Sequence, residues 1–243
     1  GLVRQCIESI VMRSSYPDYE IVLVDNGSTD PEALRYFEQL RHLPGFQVLR
    51  DDGPFNYSAL NNAAVAQASG DVIALVNNDI EVITADWLEQ MVAIALQPGV
   101  GAVGAKLLYP DNTVQHAGVL LGLGGIAGHA HKHLARADGG YFNRAQLVQS
   151  FVAVTAACLV VRKAVYQEVG GLEETKLKVS YNDVDFCLRL REAGYRNVWT
   201  PHAELYHHES ATRPSALSEA QIQRFLGEEG YMKQRWGELL FND

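Results

Sequence analysis

Short runs of consecutive apolar residues recur along the chain, and amphipathic stretches separate them. The apolar runs show no alternation with polar residues, which is typical of strands buried on both faces. They lie at 20–25, 47–49, 71–76 and 100–107. Helices are predicted between them, at 2–13, 31–42, 57–68 and 85–96. This order predicts an α/β fold, with a mostly parallel sheet, right-handed crossovers and flanking helices.

Two features depart from this regular order. The chain begins with a helix, whereas a domain of this kind usually opens with a strand, so a first strand is expected to be missing from this sequence. Beyond residue 107 the pattern becomes irregular, and a mixed region packed on the first half is predicted. Its parts are a Gly-rich stretch at 118–128, a strand-like run at 148–161, a helix from about Asp183, a linker at 211–218 and a final helix at 219–239.

Composition limits the classes of function. A chain of 243 residues that is 47% hydrophobic can bury one substantial core, so one domain with an appended segment is expected. The formal net charge of −9 argues against a nucleic-acid partner. Cys6, Cys158 and Cys187 are widely separated, which indicates reduced thiols rather than a metal site or disulfides. The longest apolar run, 151–161, is too short to span a bilayer and no signal peptide is visible, so a soluble cytoplasmic protein is expected.

Carboxylates follow two of the predicted strands at the point where each ends. Asp25 ends the run at 20–25, and Asp79 lies just beyond the run at 71–76. Ligands of open α/β sheets bind outside the carboxyl ends of the strands, so these residues predict a site for a polar ligand with a divalent cation. Asp30, five residues after Asp25, is better explained as the N-cap of the next helix.

The turn Asn77-Asn78-Asp79 offers oxygen ligands of the kind that Mg²⁺ or Mn²⁺ takes. One carboxylate with flanking amides is a small contribution, which suits a metal shared with a diphosphate. On spacing alone, however, an ordinary turn is the simpler interpretation, because Asn and Asp are common turn residues.

Two acidic residues open the predicted helix near residue 183. Asn182 is predicted as its N-cap and Gly194 as its C-terminal stop. The helix dipole favours carboxylates at Asp183 and Asp185 whatever their role. For Asp185 this structural explanation is the stronger one, whereas for Asp183 a role as general base is equally open.

Histidines occur at two further places. His207 and His208 follow a strand-like run, and because neighbouring strand residues point to opposite faces, at most one of them can face the site. An imidazole there could complete a carboxylate metal site. His129, His131 and His133 lie in a Gly-bounded segment, where a mobile polar loop is favoured over a metal site.

Four segments, taken in order, carry a family resemblance. They are EIVLVDNGSTD, then NNAAVAQASG leading into DVIALVNND, then TAACLVVRKAV with GGLEE, and NDVDFCLRLREAGYRNVWTP with YHHES. Together they cover nearly the whole chain and resemble the family 2 glycosyltransferases, which are inverting enzymes with the Rossmann-like GT-A fold. The chain is most similar to bacterial members that build O-antigen and other surface polysaccharides, often rhamnosyl transferases.

The resemblance implies a role for each candidate position. Asp183 would be the catalytic base, and Mn²⁺ or Mg²⁺ would be bound by Asp79 and His207. The UDP- or dTDP-linked sugar donor would be bound by four residues. Asp25 would bind its nucleobase, and the others are Asn62, Asn77 and Asn78. Residues 1–210 would form the glycosyltransferase domain, with a nucleotide-binding half (1–107) and an acceptor-side half (108–210), followed by a linker and C-terminal helix (211–243).

The chain also departs from the family pattern. Asn77 replaces the first acid of the family's Asp-x-Asp motif, Asn182 replaces the usual Glu beside the base, and Ala64 replaces a frequent Gly. These changes, and the missing first strand, bear on how tightly metal and donor are bound.

The implied function is transfer of a sugar to a glycan or lipid-linked acceptor in bacterial surface-polysaccharide synthesis. The protein would act in the cytoplasm, and peripheral association of the full-length protein with the inner face of the membrane is left open. Two alternatives remain: a nucleotidyltransferase, and a non-catalytic nucleotide-sugar-binding module of a larger protein. The first would be expected to show a Gly-rich basic loop after its first strand, and that region is missing from this sequence.

Overall fold

The computed structural model describes residues 1–208 and 218–242. Its helices are α1 (Leu2–Arg13), α2 (Pro31–Arg41), α3 (Tyr57–Gln67), α4 (Trp87–Ala95), α5 (Lys163–Glu168), α6 (Asn182–Glu192) and α7 (Glu219–Asn242). Its strands are β1 (Ile21–Asn26), β2 (Phe46–Asp51), β3 (Val72–Val76), β4 (Ile80–Val82), β5 (Val100–Leu108), β6 (Val114–His116), β7 (Val119–Leu121), β8 (Ala127–His129), β9 (Gln149–Phe151), β10 (Cys158–Arg162) and β11 (Arg196–His207). Apart from Ser218, the predicted linker lies outside the described residues.

The strands form a mixed sheet rather than the mostly parallel one that the sequence predicts. β1 and β2 pair in parallel as a two-stranded sheet, and the main seven-stranded sheet has the order β3-β10-β5-β11-β4 with β6 and β9 beside it. Within the main sheet β5 and β11 are parallel, whereas β10 runs antiparallel to both β3 and β5. An apolar run buried on both faces does not reveal strand direction, so the sequence could not show this reversal.

The core lies on both faces of the main sheet. One face packs against α6 and the second half of α7, including Phe186 and Trp236, and the other against α1 and α4, including Trp87. A smaller cluster joins α2 to β2. Strands from both predicted halves of the domain therefore interleave in one sheet, and β5 lies at its centre.

Local sequence explains where several elements begin and end. Asp30 caps α2, as predicted, by accepting hydrogen bonds from the backbone N–H groups of Glu32 and Ala33. The strand predicted at 148–161 is interrupted, because residues 152–157 leave the ladder between β9 and β10. Gly104 of β5 permits this segment to approach, since a Cβ there would lie 2.5 Å from the side chain of Val154.

In the described part of the chain, no helix has both the length and the apolar character needed to cross a membrane.

Candidate active site

Asp25 ends β1 in a buried position, with only 4% of its surface exposed. Its carboxylate accepts hydrogen bonds from the Ser28 N–H at 3.0 Å and from the Arg50 guanidinium at 2.5 Å. Burial alone would raise the pKa of this carboxyl, but the hydrogen bonds from Ser28 and Arg50 outweigh burial and lower it. Gly27, at φ +69°, allows the turn that brings the Ser28 amide back to the carboxylate.

Asp79 and His207 face each other at the ends of neighbouring strands. The His207 Nε2 atom lies 3.2 Å from Asp79 Oδ1, and its Nδ1 atom lies 2.6 Å from the side-chain oxygen of Gln115. Since Gln115 Oε1 can only accept, His207 Nδ1 carries a proton. In the neutral imidazole, His207 Nε2 then carries a lone pair that points at the Asp79 carboxylate. A proton or a cation between Nε2 and Asp79 Oδ1 would stabilise this arrangement.

His208 points to the other face of β11. Its Nε2 atom lies 3.1 Å from Glu81, which also binds Gln5 and Arg13. The structure therefore brings the side chain of His207 to the Asp79 carboxylate, whereas His208 reaches Asp79 only through its backbone N–H, which donates to the Asp79 carbonyl at 2.9 Å.

The rest of this turn lies beside the same pair. The backbone N–H of Asn77 donates to the Ala157 carbonyl at 3.0 Å. The side-chain nitrogen of Asn77 lies 3.5 Å from His207 Nε2. Asn78 is exposed in the same turn. Its predicted contact with the donor stays a prediction.

Asp183 lies in the first turn of α6 and is half-buried. Its Oδ2 atom accepts from the Ala156 N–H at 3.1 Å and its Oδ1 atom from the Val184 N–H at 2.8 Å. Tyr57 donates to the Ala156 carbonyl at 2.9 Å, and burial raises the pKa of this phenol, so the hydroxyl keeps the proton it donates. The interrupted segment at 152–157 thus supplies the backbone donor that orients Asp183.

The N-cap prediction for α6 is wrong. Tyr181, in the left-handed region at φ 61°, precedes the helix, and Asn182 is its first residue. The side chain of Asn182 donates back to the Val179 carbonyl at 3.0 Å instead of capping. Asp185 is fully buried and binds Arg189 and Trp236, in keeping with the structural role predicted for it.

Asn62 lies apart from this group. Its side-chain nitrogen donates to Leu172 and Glu174, and its oxygen accepts from Tyr166 and from the Leu172 N–H. These bonds tie α3 to the loop that follows α5. None of these bonds, within the described part of the chain, joins Asn62 to another candidate residue, and the donor contact predicted for Asn62 stays a prediction.

Two features of the site were not predicted from the sequence. Gln115 orients His207 across 92 residues, and nothing in the pattern of β6 distinguishes it from an ordinary polar residue. His116, next to it, is buried, and burial holds its pKa well below the usual range. The Nδ1 atom of His116 lies 2.7 Å from that of His129. One histidine of the predicted polar loop is therefore hydrogen-bonded to a buried histidine of β6.

A divalent cation fits the residues at the turn but would need further ligands. Among residues 1–208 and 218–242, no three His, Cys, Asp or Glu side chains are grouped to hold a metal ion. Asp79 and His207 supply one hard oxygen and one imidazole nitrogen, a donor set suited to Mn²⁺ or Mg²⁺ when a diphosphate completes the shell.

Comparison with known sequences identifies the family. The model described as glycosyl transferase family 2 matches residues 1–169. An uncharacterised protein of Sinorhizobium fredii is 53% identical over 237 residues, which are 97% of this chain and 26% of that protein. The O-antigen biosynthesis protein RfbC of Myxococcus xanthus is 41% identical over 238 residues, which are 94% of this chain and 18% of that protein. The chain thus spans a small part of these two relatives.

A more distant relative is also named as a glycosyltransferase, and two solved structures share the fold. An N-acetylglucosaminyl-diphospho-decaprenol L-rhamnosyltransferase of Mycobacterium tuberculosis is 25% identical over 210 residues, covering 78% of this chain and 66% of that protein. The structure of GalNAc-T7 with UDP, GalNAc and Mn²⁺ has a TM-score of 0.65 at 14% identity, covering 83% of this chain and 40% of that one. The structure of the mannosyltransferase PcManGT from Pyrobaculum calidifontis with GDP-Man and Mn²⁺ has a TM-score of 0.63 at 15% identity. The match covers 98% of this chain and 68% of that one. The chain therefore has the α/β fold of the GT-A glycosyltransferases and belongs to glycosyl transferase family 2.

Proposed function

We propose that the protein is an inverting glycosyltransferase that uses a UDP- or dTDP-linked sugar and a divalent cation, Mn²⁺ or Mg²⁺. Its acceptor is a glycan or lipid-linked saccharide in bacterial surface-polysaccharide synthesis, and it acts in the cytoplasm, where a lipid-linked acceptor would be met at the inner face of the membrane. The similarity to RfbC and to a rhamnosyltransferase supports this acceptor class. The UDP and Mn²⁺ in the GalNAc-T7 structure support the donor and the cation.

The observation that carries the proposal is that two adjacent residues, Ala156 and Ala157, bond to Asp183 and to the turn at Asn77. The Ala156 N–H binds Asp183, and the Ala157 carbonyl binds the Asn77 N–H. A base and a leaving-group site held by one backbone segment keep a fixed separation. Direct displacement needs this relation, because the acceptor hydroxyl must attack from the side opposite the leaving diphosphate.

The residues have definite parts in such a displacement. The acceptor oxygen bonds to the anomeric carbon as the bond from that carbon to the diphosphate breaks, and Asp183 takes the hydroxyl proton. Asp25 binds the nucleobase, and Asn77 and Asn78 lie beside the diphosphate. Asp79 and His207 would hold a divalent cation, which would supply Lewis-acid stabilisation of the charge on the diphosphate. No side-chain nucleophile is needed, and the buried thiols of Cys158 and Cys187, whose pKa values burial raises, are unsuited to that role.

A panel of nucleotide-sugars tests the proposal in two steps. Thermal-shift measurements with UDP-, dTDP- and GDP-sugars, each with and without Mn²⁺, should show stabilisation by a UDP- or dTDP-sugar that is larger with the metal. Release of the nucleoside diphosphate from that donor then separates an enzyme from a binding module. Binding without any release of nucleoside diphosphate favours the module, and release of pyrophosphate from a nucleoside triphosphate with a sugar phosphate favours a nucleotidyltransferase.

A further inference from the structure

The C-terminal helix α7 binds the peptide that leads into α6. Glu228 of α7 is buried, at 2% exposure, and its two carboxylate oxygens accept from the N–H groups of Val179 at 2.9 Å and Ser180 at 3.1 Å. A buried carboxylate is costly unless its hydrogen bonds are made. Here the backbone makes them, so Glu228 fixes the chain three and four residues before Asp183.

A second contact from α7 lies just beyond Asp183. The Trp236 indole donates to Asp185 at 2.9 Å, and the other oxygen of this fully buried carboxylate accepts from Arg189 at 2.8 Å. The helix therefore contacts the chain on both sides of Asp183, once at the backbone of the entering peptide and once at the side chain of Asp185 in the first turn of α6.

Between these two contacts the backbone is strained. Tyr181 has φ 61°, a left-handed conformation that residues with a side chain adopt only where the surroundings hold them. Its ring packs against Phe225 of α7, with the ring centroids 5.7 Å apart. The peptide held by Glu228 lies immediately before it. A strained residue directly before the helix start sets the direction in which the first turn, and Asp183 with it, projects.

We infer that α7 is a positioning element for the catalytic base, and that Glu228 is its central positioning residue. Glu228 acts through the backbone N–H groups of Val179 and Ser180. The inference rests on the proposed role of Asp183. It assigns a part in the reaction to a helix that lies beyond residues 1–169, the part of the chain that the family model matches.

The test compares two identical substitutions on adjacent residues. Glu228→Gln removes one of the two acceptor oxygens, whereas Glu229→Gln alters a residue whose carboxylate pairs with Lys233 one turn further along the same helix. For Glu228→Gln we expect kcat for transfer to fall about 10- to 100-fold, because small misplacements of a reacting group have effects of this size. Donor KM and UDP affinity should stay within about twofold of wild type, and hydrogen exchange should accelerate at the Val179 and Ser180 amides. Glu229→Gln should change none of these.

Each outcome decides the inference. Unchanged kcat in Glu228→Gln, with faster exchange at Val179 and Ser180, would overturn it. Equal losses of kcat and UDP affinity with exchange accelerated throughout the protein would also overturn it, because the contact would then be general to the fold. If Glu228→Gln does not fold, Trp236→Phe decides instead: kcat lower by several-fold with UDP affinity kept supports the inference, and unchanged kcat contradicts it. A wild-type protein that binds UDP but transfers no sugar overturns the proposed function itself, and this inference with it.

Discussion

Asp25 has a structural task and, in the proposed function, a second task in binding the donor base. It closes the turn after β1 through Ser28 and pairs with Arg50, and the proposed donor base would be a third partner. A carboxylate has about four lone-pair sites, so a further hydrogen bond can be accommodated.

Asp25→Asn should therefore weaken donor binding more than it slows turnover. Replacing the charged acceptor of one hydrogen bond suggests a loss of roughly 1.5–3 kcal/mol, which is about a 10- to 150-fold rise in donor KM. Steady-state kinetics with the donor varied measure it. Asp30→Asn is the control, because Asn caps a helix about as well as Asp and should leave KM unchanged. Unaltered affinity of Asp25→Asn for both UDP and dTDP would remove this residue from the base site.

Asp183 and Asp185 lie two residues apart in α6 but have different surroundings. Asp183 is half-buried and accepts from two backbone N–H groups, whereas Asp185 is enclosed by Arg189 and Trp236. The same substitution at each should separate chemistry from stability.

Asp183→Asn should cut transfer on the order of 10²- to 10⁴-fold with donor binding intact, because it removes basicity and preserves shape. Asp185→Asn should instead lower the free energy of unfolding by about 1–3 kcal/mol, since it weakens a buried hydrogen-bonded pair. Single-turnover transfer and chemical denaturation of both variants measure this contrast. Near-normal transfer by Asp183→Asn, with transfer lost in a folded Asp185→Asn protein, would reverse the two roles.

Among the helices and strands, the sequence predicted which elements form, and of which type, better than it predicted how the strands pair. The runs at 20–25, 71–76 and 100–107 are strands within a residue of the predicted ends, because burial on both faces leaves a strong apolar signal. Strand direction, the interruption at 152–157 and the start of α6 at Asn182 depend on contacts between distant residues. A local pattern does not contain those contacts.

The end of β11 shows what alternation can and cannot predict. It predicted that at most one of two adjacent histidines faces the site, and in the structure the side chain of His207 lies at Asp79 and that of His208 at Glu81. His207→Gln should weaken Mn²⁺ binding in the presence of UDP by on the order of 10-fold or more, and His208→Gln should leave it near the wild-type value. Calorimetric titration of Mn²⁺ into each variant with saturating UDP measures both. A larger loss for His208→Gln would contradict this assignment.

At the scale of the whole molecule, one mixed sheet joins residues that the sequence places far apart. Asp79 and Asp183 could be named from the order of motifs, because that order resembles a known family. The residues that orient the site, Gln115 and the backbone of Ala156 and Ala157, could not be named, since none of them carries a distinctive local pattern. Their roles become visible only when β6, β10 and α6 are brought together.

The central claim is that Asp79 and a nucleotide diphosphate share a divalent cation, and calorimetry tests it most directly. Mn²⁺ is titrated into the protein with and without UDP, into Asp79→Ala, and into a control, Glu81→Gln, whose carboxylate faces His208 instead. Wild type and Glu81→Gln should bind Mn²⁺ weakly alone and at least about tenfold more tightly with UDP, because the diphosphate completes the ligand shell. Asp79→Ala should lose this coupling. Equal coupling in Asp79→Ala and wild type would contradict the account and place the cation elsewhere.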